Sequence, residues 1–155
     1  GDLGVTTSRG DLGIRGRAKD TIVLLGGENI EPMPIEEHLQ ESKYIDRAVV
    51  VGQDQKVLGA LIVLNEEMLT EHAASAGIQG DLEALSNNQQ IRSLIQSEVS
   101  ARVSSATGFK PFERVSRIHM LHLPFEVGRE LSHKQEVKRT AVANLYAEPI
   151  ARLFT

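Results

Sequence analysis

The fold of this chain is decided by the stretch Gly16-Arg17-Ala18-Lys19-Asp20-Thr21-Ile22-Val23-Leu24-Leu25-Gly26-Gly27-Glu28-Asn29-Ile30-Glu31-Pro32-Met33-Pro34-Ile35-Glu36. After a charged opening, the apolar and β-branched residues 21–25 are typical of a strand. Gly26 and Gly27 then provide a turn in which φ can be positive without steric cost. A second short strand at about 29–31 completes a two-stranded ribbon, the first structural unit that the sequence predicts.

A helix follows this ribbon without a long linker. Pro34 suits the start of a helix, where the N–H that proline lacks would have no partner in any case. Glu36 and Glu37 lie in the same turn, near the positive end of the helix dipole. The pattern predicts a helix from Pro34 to about Glu41.

The rest of the chain alternates apolar strands with helices. The clearest hairpin joins the apolar runs 48–51 and 57–64 through a polar turn. The later segments are a helix at 66–76, a polar stretch at 77–88 that is loop-like at its ends, an amphipathic helix at 91–103, a strand at 115–121, and a helix from about 135 to 148 that Pro149 breaks or kinks. The predicted fold is α+β: a two-stranded ribbon followed by a small, mainly antiparallel sheet of about three strands with packed helices.

Composition narrows the class of protein. The chain has 155 residues, 41% hydrophobic and 25% charged, which fits one globular core. It has no cysteine, so disulfides and cysteine metal sites are excluded. A net charge of -4 argues against a nucleic-acid partner, and the apolar run 58–64 is too short to span a bilayer. We expect a cytoplasmic protein without a transmembrane segment, and peripheral contact with a membrane stays open.

Two polar clusters predict no separate site. His119 and His122 are three residues apart in a predicted strand and so face opposite sides, which argues against a metal site with His133. Lys138, Arg139 and Arg152 are best explained as the solvated face of the last helix. No metal-binding residue is predicted in this chain.

The run from 16 to 36 resembles the hinge and adjoining loop of the adenylate-forming enzymes, the AMP-binding superfamily that includes acyl-CoA synthetases, luciferases and peptide-synthetase adenylation domains. Within it, residues 20–24 and 27–29 are most similar to the long-chain fatty-acid–CoA ligases. The resemblance implies that residues 1–18 are the tail end of the large N-terminal adenylation domain. Residues 19–155 would be the mobile C-terminal domain, inactive alone.

The resemblance also implies the chemistry. Such a ligase joins a fatty acid to the α-phosphate of ATP, releases pyrophosphate, and passes the acyl group to coenzyme A. Magnesium, ATP and the fatty acid would be bound mainly by the N-terminal adenylation domain, the main partner of this chain. A carrier-protein arm could replace free coenzyme A, and a noncatalytic regulatory or interaction module of the same fold is the alternative function.

Two residues near the start would bind nucleotide. Asp2 stands in a Gly-Asp-Leu run that resembles a family motif, and its carboxylate would accept hydrogen bonds from both ribose hydroxyls. Arg17 would lie beside the nucleotide, where a guanidinium fork suits ribose and phosphate oxygens. Without the resemblance, Asp2 would be a plain turn residue and Arg17 a solvated surface arginine.

Four further positions match the part of the family pattern that is associated with movement of the C-terminal domain. Lys19 stands where the family places its hinge, a residue that absorbs a large change in φ and ψ, although a solvated lysine at a strand entrance would look the same. Gly26, Gly27 and Glu28 would form the loop that swings toward the active site for thioester formation and lets the pantetheine arm pass close to backbone. A tight hairpin turn is the simpler explanation, and both can hold together.

One departure from the family pattern lies near the other end. Long-chain members show a run similar to Leu-Thr-x-Thr-x-Lys-x-Lys-Arg, and the matching run here is Leu131-Ser132-His133-Lys134-Gln135-Glu136-Val137-Lys138-Arg139. Glu136 therefore takes the place of the lysine that stabilises charge at the α-phosphate. Lys134 is the candidate catalytic residue, because a two-residue offset is easily accommodated in a loop. Lys138, or no catalytic lysine at all, are the alternatives.

Overall fold

The computed structural model describes residues 20–155 of the chain. Asp2, Arg17 and Lys19 and the predicted domain boundary lie outside the described residues. The strands within the described range are β1 (Ile22–Val23), β2 (Asn29–Ile30), β3 (Ile45–Val51), β4 (Leu58–Leu64) and β5 (Val115–Leu121). The α-helices within it are α1 (Pro32–Leu39), α2 (Glu66–Ala76), α3 (Leu82–Ser86), α4 (Gln89–Arg102), α5 (Arg139–Leu145) and α6 (Ala147–Leu153).

The strands form a ribbon and a separate sheet. In the ribbon, β1 pairs antiparallel with β2 and Ile22 lies opposite Ile30. The sheet has the order β3-β4-β5, with an antiparallel first pair and a parallel second pair. The second pair can be parallel because helices α2, α3 and α4 carry the chain from the end of β4 back to the start of β5. The predicted α+β fold is confirmed, and its three-stranded sheet is mixed.

The core lies on both faces of the sheet. Every residue of the central strand β4 is buried, as expected for a strand covered on both sides. Ala60 and Ile62 point to one face and pack with residues of α1, α2 and α4. Leu61 and Val63 point to the opposite face and pack with α5, α6 and the segment that follows β5. This second face supports the region predicted to carry the catalytic lysine.

The predicted bounds of the last helix are wrong. The predicted helix from 135 to 148 is replaced by a turn and the two helices α5 and α6, which meet at Tyr146. Gln135 has φ of 65°, a left-handed value that excludes it from a right-handed helix. The predicted break near Pro149 falls at Tyr146, and Pro149 itself lies in the first turn of α6, where its missing N–H breaks no intrahelical hydrogen bond.

The other predicted segments need smaller adjustments. Helix α1 begins at Pro32, two positions before the predicted start at Pro34. The segment 77–88 contains the short helix α3, whose first turn is capped by the Asp81 side chain accepting a hydrogen bond from the Ala84 N–H at 2.9 Å. The hairpin, the 66–76 helix and the third strand are confirmed.

Candidate functional site

The predicted loop of Gly26, Gly27 and Glu28, which we call the glycine loop, forms the tip of the β1–β2 ribbon. The Leu24 N–H donates to the Glu28 carbonyl at 3.0 Å, and the Gly27 N–H donates to the Leu24 carbonyl at 2.8 Å. Gly27 has φ of 92°, which favours glycine, and no atom lies within 4 Å of the place where a Cβ would stand. Leu25 is 64% exposed beside it. The loop therefore presents bare backbone and one apolar side chain to its surroundings.

The outer edge of the ribbon rests on the turn between β3 and β4. The Asp54 N–H donates to the Val23 carbonyl, and the Leu25 N–H donates to the Gln55 carbonyl, both at 2.9 Å. The Val23 N–H donates to Gln53 Oε1 at 3.0 Å. These bonds fix the glycine loop to the body of the domain. Sequence reasoning missed them, because the turn residues carry no feature beyond polarity.

Lys134 lies at the tip of a tight turn, not in a helix. The strand-like ends of this turn meet through an antiparallel bridge between Leu131 and Val137. The Ser132 N–H donates to the Glu136 carbonyl at 2.8 Å, and the Ser132 hydroxyl oxygen accepts from the N–H groups of Lys134 and Glu136, each at 3.2 Å. Lys134 and Glu136 are both exposed. We call residues 131–137 the lysine turn.

The tip of the lysine turn carries two exposed charged side chains. The Lys134 ammonium makes no hydrogen bond or ion pair within residues 20–155, and the same holds for the Glu136 carboxylate. Because the segment is a turn, a side chain two positions from the family's lysine is not forced onto another face, as it would be in a helix. Lys134 thus lies in a turn, as the Lys134 hypothesis requires; its catalytic role stays a prediction.

A buried carboxylate anchors the start of the lysine turn. Glu130 has 0% exposed surface; its Oε2 accepts from the Tyr146 hydroxyl at 2.5 Å and its Oε1 from the Glu126 N–H at 3.0 Å. Burial by itself would raise the pKa of Glu130, but these hydrogen bonds and Arg129 outweigh it and the pKa is lowered. Burial and the contact with the Glu130 carboxylate raise the pKa of Tyr146 to about 12. Glu130 is thus held as a carboxylate under the turn.

An ion pair anchors the C-terminal end of the lysine turn. Arg139, the first residue of α5, donates two hydrogen bonds to the Glu36 carboxylate, at 2.9 Å from Nη1 and 2.6 Å from Nη2. Glu36 Oε2 also accepts from the Val50 N–H at 2.8 Å. Burial raises the pKa of Glu36 against the opposing effect of Arg139. The lysine turn is therefore held between two side-chain anchors that the sequence alone did not reveal.

The glycine loop and the lysine turn lie near opposite ends of β3. The glycine loop lies against the turn that follows Val51, whereas the Arg47 guanidinium, near the start of β3, donates to the Gln135 carbonyl at 3.4 Å. No hydrogen bond or ion pair within the described range joins the two loops. The domain consequently presents two separate loops.

Other candidate residues do not form a site. Among residues 20–155, no group of three His, Asp or Glu side chains could hold a metal ion. His119 is half-buried on β5, and burial together with Arg152 and Arg92 lowers its pKa. In the same range no helix has the length and apolar content needed to cross a bilayer.

Sequence comparison assigns this chain to a known domain family. Residues 19–155 match the AMP-binding enzyme C-terminal domain family. A long-chain-fatty-acid–CoA ligase of Mycobacterium tuberculosis is 32% identical over 161 residues, covering 99% of this chain and 26% of that protein. A chloroplast long-chain-fatty-acid–[acyl-carrier-protein] ligase of Arabidopsis thaliana is 31% identical over 147 residues, covering 94% of this chain and 18% of that protein. The chain thus spans about a fifth to a quarter of the curated relatives it matches.

Structural comparison leads to the same fold. The A domain of a carboxylic acid reductase from Segniliparus rugosus, solved in complex with AMP and a co-purified carboxylic acid, superimposes with a TM-score of 0.75. The match covers 91% of this chain and 20% of that one, at 18% sequence identity. Fold, family match and identity over nearly the whole chain agree: the chain belongs to the AMP-binding enzyme C-terminal domain family.

Proposed function

We propose that this chain is the C-terminal domain of an AMP-forming fatty-acid–CoA ligase, and that it serves both half-reactions by rotating about Lys19. The observation that carries the proposal is the lysine turn, in which Lys134 stands exposed and without an ionic partner among the described residues. The turn lies between the buried Glu130 and the half-buried Arg139, so its position is fixed while the Lys134 side chain stays exposed.

In the first half-reaction, a carboxylate oxygen of the fatty acid attacks the α-phosphorus of ATP and pyrophosphate leaves. Negative charge builds up on the oxygens around that phosphorus, and a nearby ammonium stabilises it. Lys134 supplies this ammonium. Glu136, at the family's lysine position, would repel phosphate, so its exposure matters: an exposed carboxylate can point to solvent.

In the second half-reaction, a thiol attacks the acyl carbonyl and AMP leaves. The domain rotates so that the glycine loop replaces the lysine turn at the reaction centre. Gly27 supports this role because it leaves open space beside the backbone, which a pantetheine arm needs. Coenzyme A is the proposed acceptor. The identity to a ligase named for an acyl-carrier-protein acceptor makes a carrier-protein arm the second candidate.

The nucleotide is held at the start of the chain and by the adenylation domain. Asp2 would accept hydrogen bonds from the ribose hydroxyls and Arg17 would donate to ribose or phosphate oxygens. Magnesium would be bound mainly by that larger domain, as the family resemblance implies. The described residues fit the rest of the assignment. Lys134 offers ATP an ammonium that has no ionic partner among residues 20–155, and the glycine loop offers a thiol arm open space beside Gly27.

The test is ATP–pyrophosphate exchange on the full-length protein with a panel of fatty acids. Lys134→Ala should reduce exchange by about 100-fold, the loss expected when one charge-stabilising group is removed. Lys56→Ala, in the exposed turn between β3 and β4, is the matched control and should keep parental exchange. Exchange that survives Lys134→Ala but collapses in Lys138→Ala would move the catalytic charge to Lys138.

Glu136 favours one alternative function. If the full-length protein binds ATP and folds normally but catalyses no exchange with any fatty acid, a noncatalytic regulatory or interaction module is the better assignment. In that case the carboxylate at position 136 would be the reason that adenylation is lost.

A further inference from the structure

Arg139 contacts two carboxylates that come from distant parts of the chain. Its Nη1 and Nη2 donate to Glu36, and its Nε lies 3.8 Å from Asp20 Oδ1. The Arg139 side chain is 22% exposed, that of Glu36 9% and that of Asp20 19%. Interactions between charges that are so little exposed are screened less by solvent than those of surface pairs.

Each contact fixes a different element. Glu36 belongs to α1 and also accepts the Val50 N–H of the edge strand β3, so this carboxylate is part of the rigid body of the domain. Arg139 begins α5 directly after Lys138, whose N–H donates to the Glu130 carbonyl at 2.8 Å. Arg139 therefore holds the C-terminal end of the lysine turn against α1.

Asp20 lies on a side of the guanidinium that the Glu36 pair does not use. The two hydrogen bonds to Glu36 start from Nη1 and Nη2 and leave Nε facing Asp20. Asp20 adds a charge contact to Nε, and it is the residue next to the predicted hinge at Lys19. A carboxylate there connects the chain beside the hinge with the residue that fixes the lysine turn.

We propose that Arg139 is a positioning residue that ties Asp20 to the lysine turn, so that domain rotation changes torsions only on the N-terminal side of Asp20. Residues from Asp20 onward then move as one body, and the position of Lys134 relative to the hinge stays constant. This inference rests on the proposed function for its catalytic consequence, but its mechanical part does not depend on activity.

The test uses Asp20→Asn, which keeps side-chain size and the Glu36–Arg139 pair. In the full-length protein, adenylation should fall about tenfold at unchanged KM for ATP, because a small displacement of a catalytic group lowers kcat rather than affinity. Thioester formation from supplied acyl-adenylate should stay within about twofold of the parent value. Asp46→Asn, an exposed position on β3, is the matched control and should change neither step.

Arg139→Lys tests the same connection from the other side. Lysine keeps the charge but cannot form the two-bond pair and the Nε contact together. Adenylation should fall further than in Asp20→Asn, and the double variant should be no worse than Arg139→Lys alone, since both changes remove one connection. Additive losses, or equal losses in both half-reactions, would overturn the inference.

A protein without any adenylation activity would defeat the proposed function but not this test. Hydrogen exchange then decides, measured on the full-length protein and on its Asp20→Asn variant. Amides of the lysine turn that are hydrogen-bonded, such as those of Ser132 and Glu136, should exchange several-fold faster in the variant. Unchanged exchange in the lysine turn would show that Asp20 does not restrain it.

Discussion

The Tyr146 hydroxyl donates a hydrogen bond of 2.5 Å to Glu130 Oε2, and it joins the end of α5 to the buried start of the lysine turn. Tyr146→Phe removes the donor and leaves part of a buried carboxylate unsatisfied. We expect the free energy of unfolding to fall by about 1.5–3 kcal/mol near pH 7. Urea unfolding measures this loss. Tyr44→Phe is the control, because the Tyr44 hydroxyl makes no hydrogen bond within the described residues.

The hydrogen bond between Tyr146 and Glu130 also predicts that the free energy of unfolding depends on pH. The pKa of Glu130 is lowered in the folded state, so its contribution to stability is present above the unfolded pKa of about 4.5 and is lost as pH falls further. The pKa of Tyr146 is raised from 10.0 to about 12, so its contribution is present below pH 10 and is lost as pH rises toward 12. The difference in unfolding free energy between parent and Tyr146→Phe should be largest between these limits. A difference that is constant from pH 3 to pH 11 would contradict it.

Breaking the Glu36–Arg139 pair should be costly. Glu36→Ala removes the two-bond partner of the mostly buried Arg139 guanidinium and leaves it only the 3.8 Å contact with Asp20, and such a loss costs about 3–5 kcal/mol. The double variant Glu36→Met with Arg139→Met should be more stable than Glu36→Ala, because the buried guanidinium is removed together with its main partner and only Asp20 loses a contact. Glu148→Ala, at an exposed pair with Arg152, should leave the urea midpoint unchanged. A double variant less stable than the single one would refute this account.

Gly27 should be the sensitive position of the glycine loop. Gly27→Ala places a side chain at a φ of 92°, and left-handed backbone costs a non-glycine residue about 1–2 kcal/mol. Gly26→Ala should cost less, since Gly26 is not among the residues with positive φ and its Cβ would meet only the flexible end of Glu28. Thermal unfolding of both variants measures the difference. Equal losses would mean that the conformation of Gly27 is not what limits this loop.

Glu136→Lys should restore the family pattern. An ammonium at this position adds stabilising charge near the α-phosphate, and we expect adenylation to rise at least about tenfold. In this background Lys134→Ala should lose little activity, because position 136 now supplies the charge. Pyrophosphate exchange measures both effects, and Glu71→Lys on the exposed side of α2 controls for added charge alone. No rise in exchange would show that the carboxylate at 136 does not limit adenylation.

Lys19→Pro should separate the two half-reactions. Proline fixes φ near −65°, so a hinge at this residue could adopt only one of its two conformations. One half-reaction should then be lost far more than the other, as measured by pyrophosphate exchange and by thioester formation. Lys19→Ala keeps the torsional freedom and should affect both steps little. Equal loss of both steps in Lys19→Pro would refute the hinge role.

Local pattern alone was enough for much of the fold. Alternation and apolar runs placed β3, β4 and β5, and the glycine pair placed the ribbon, because these features depend on residues close together in the chain. The family resemblance likewise came from one short run. The start of the last helix was predicted too early because a turn stabilised by the Ser132 side chain, with Gln135 at a positive φ, precedes Arg139.

The α+β class, the order of the strands and the family could be predicted from residues close together in the chain. The way in which the lysine turn is held and the pairing of β5 depend on contacts between distant parts of the chain. Arg139 and Glu36 are 103 residues apart, and Glu130 is charged yet fully buried. Such pairs cannot be identified from local pattern, since a charged residue is exposed by default unless a partner from elsewhere in the chain satisfies it. Folding brings those partners together, and their contacts fix the position of Lys134.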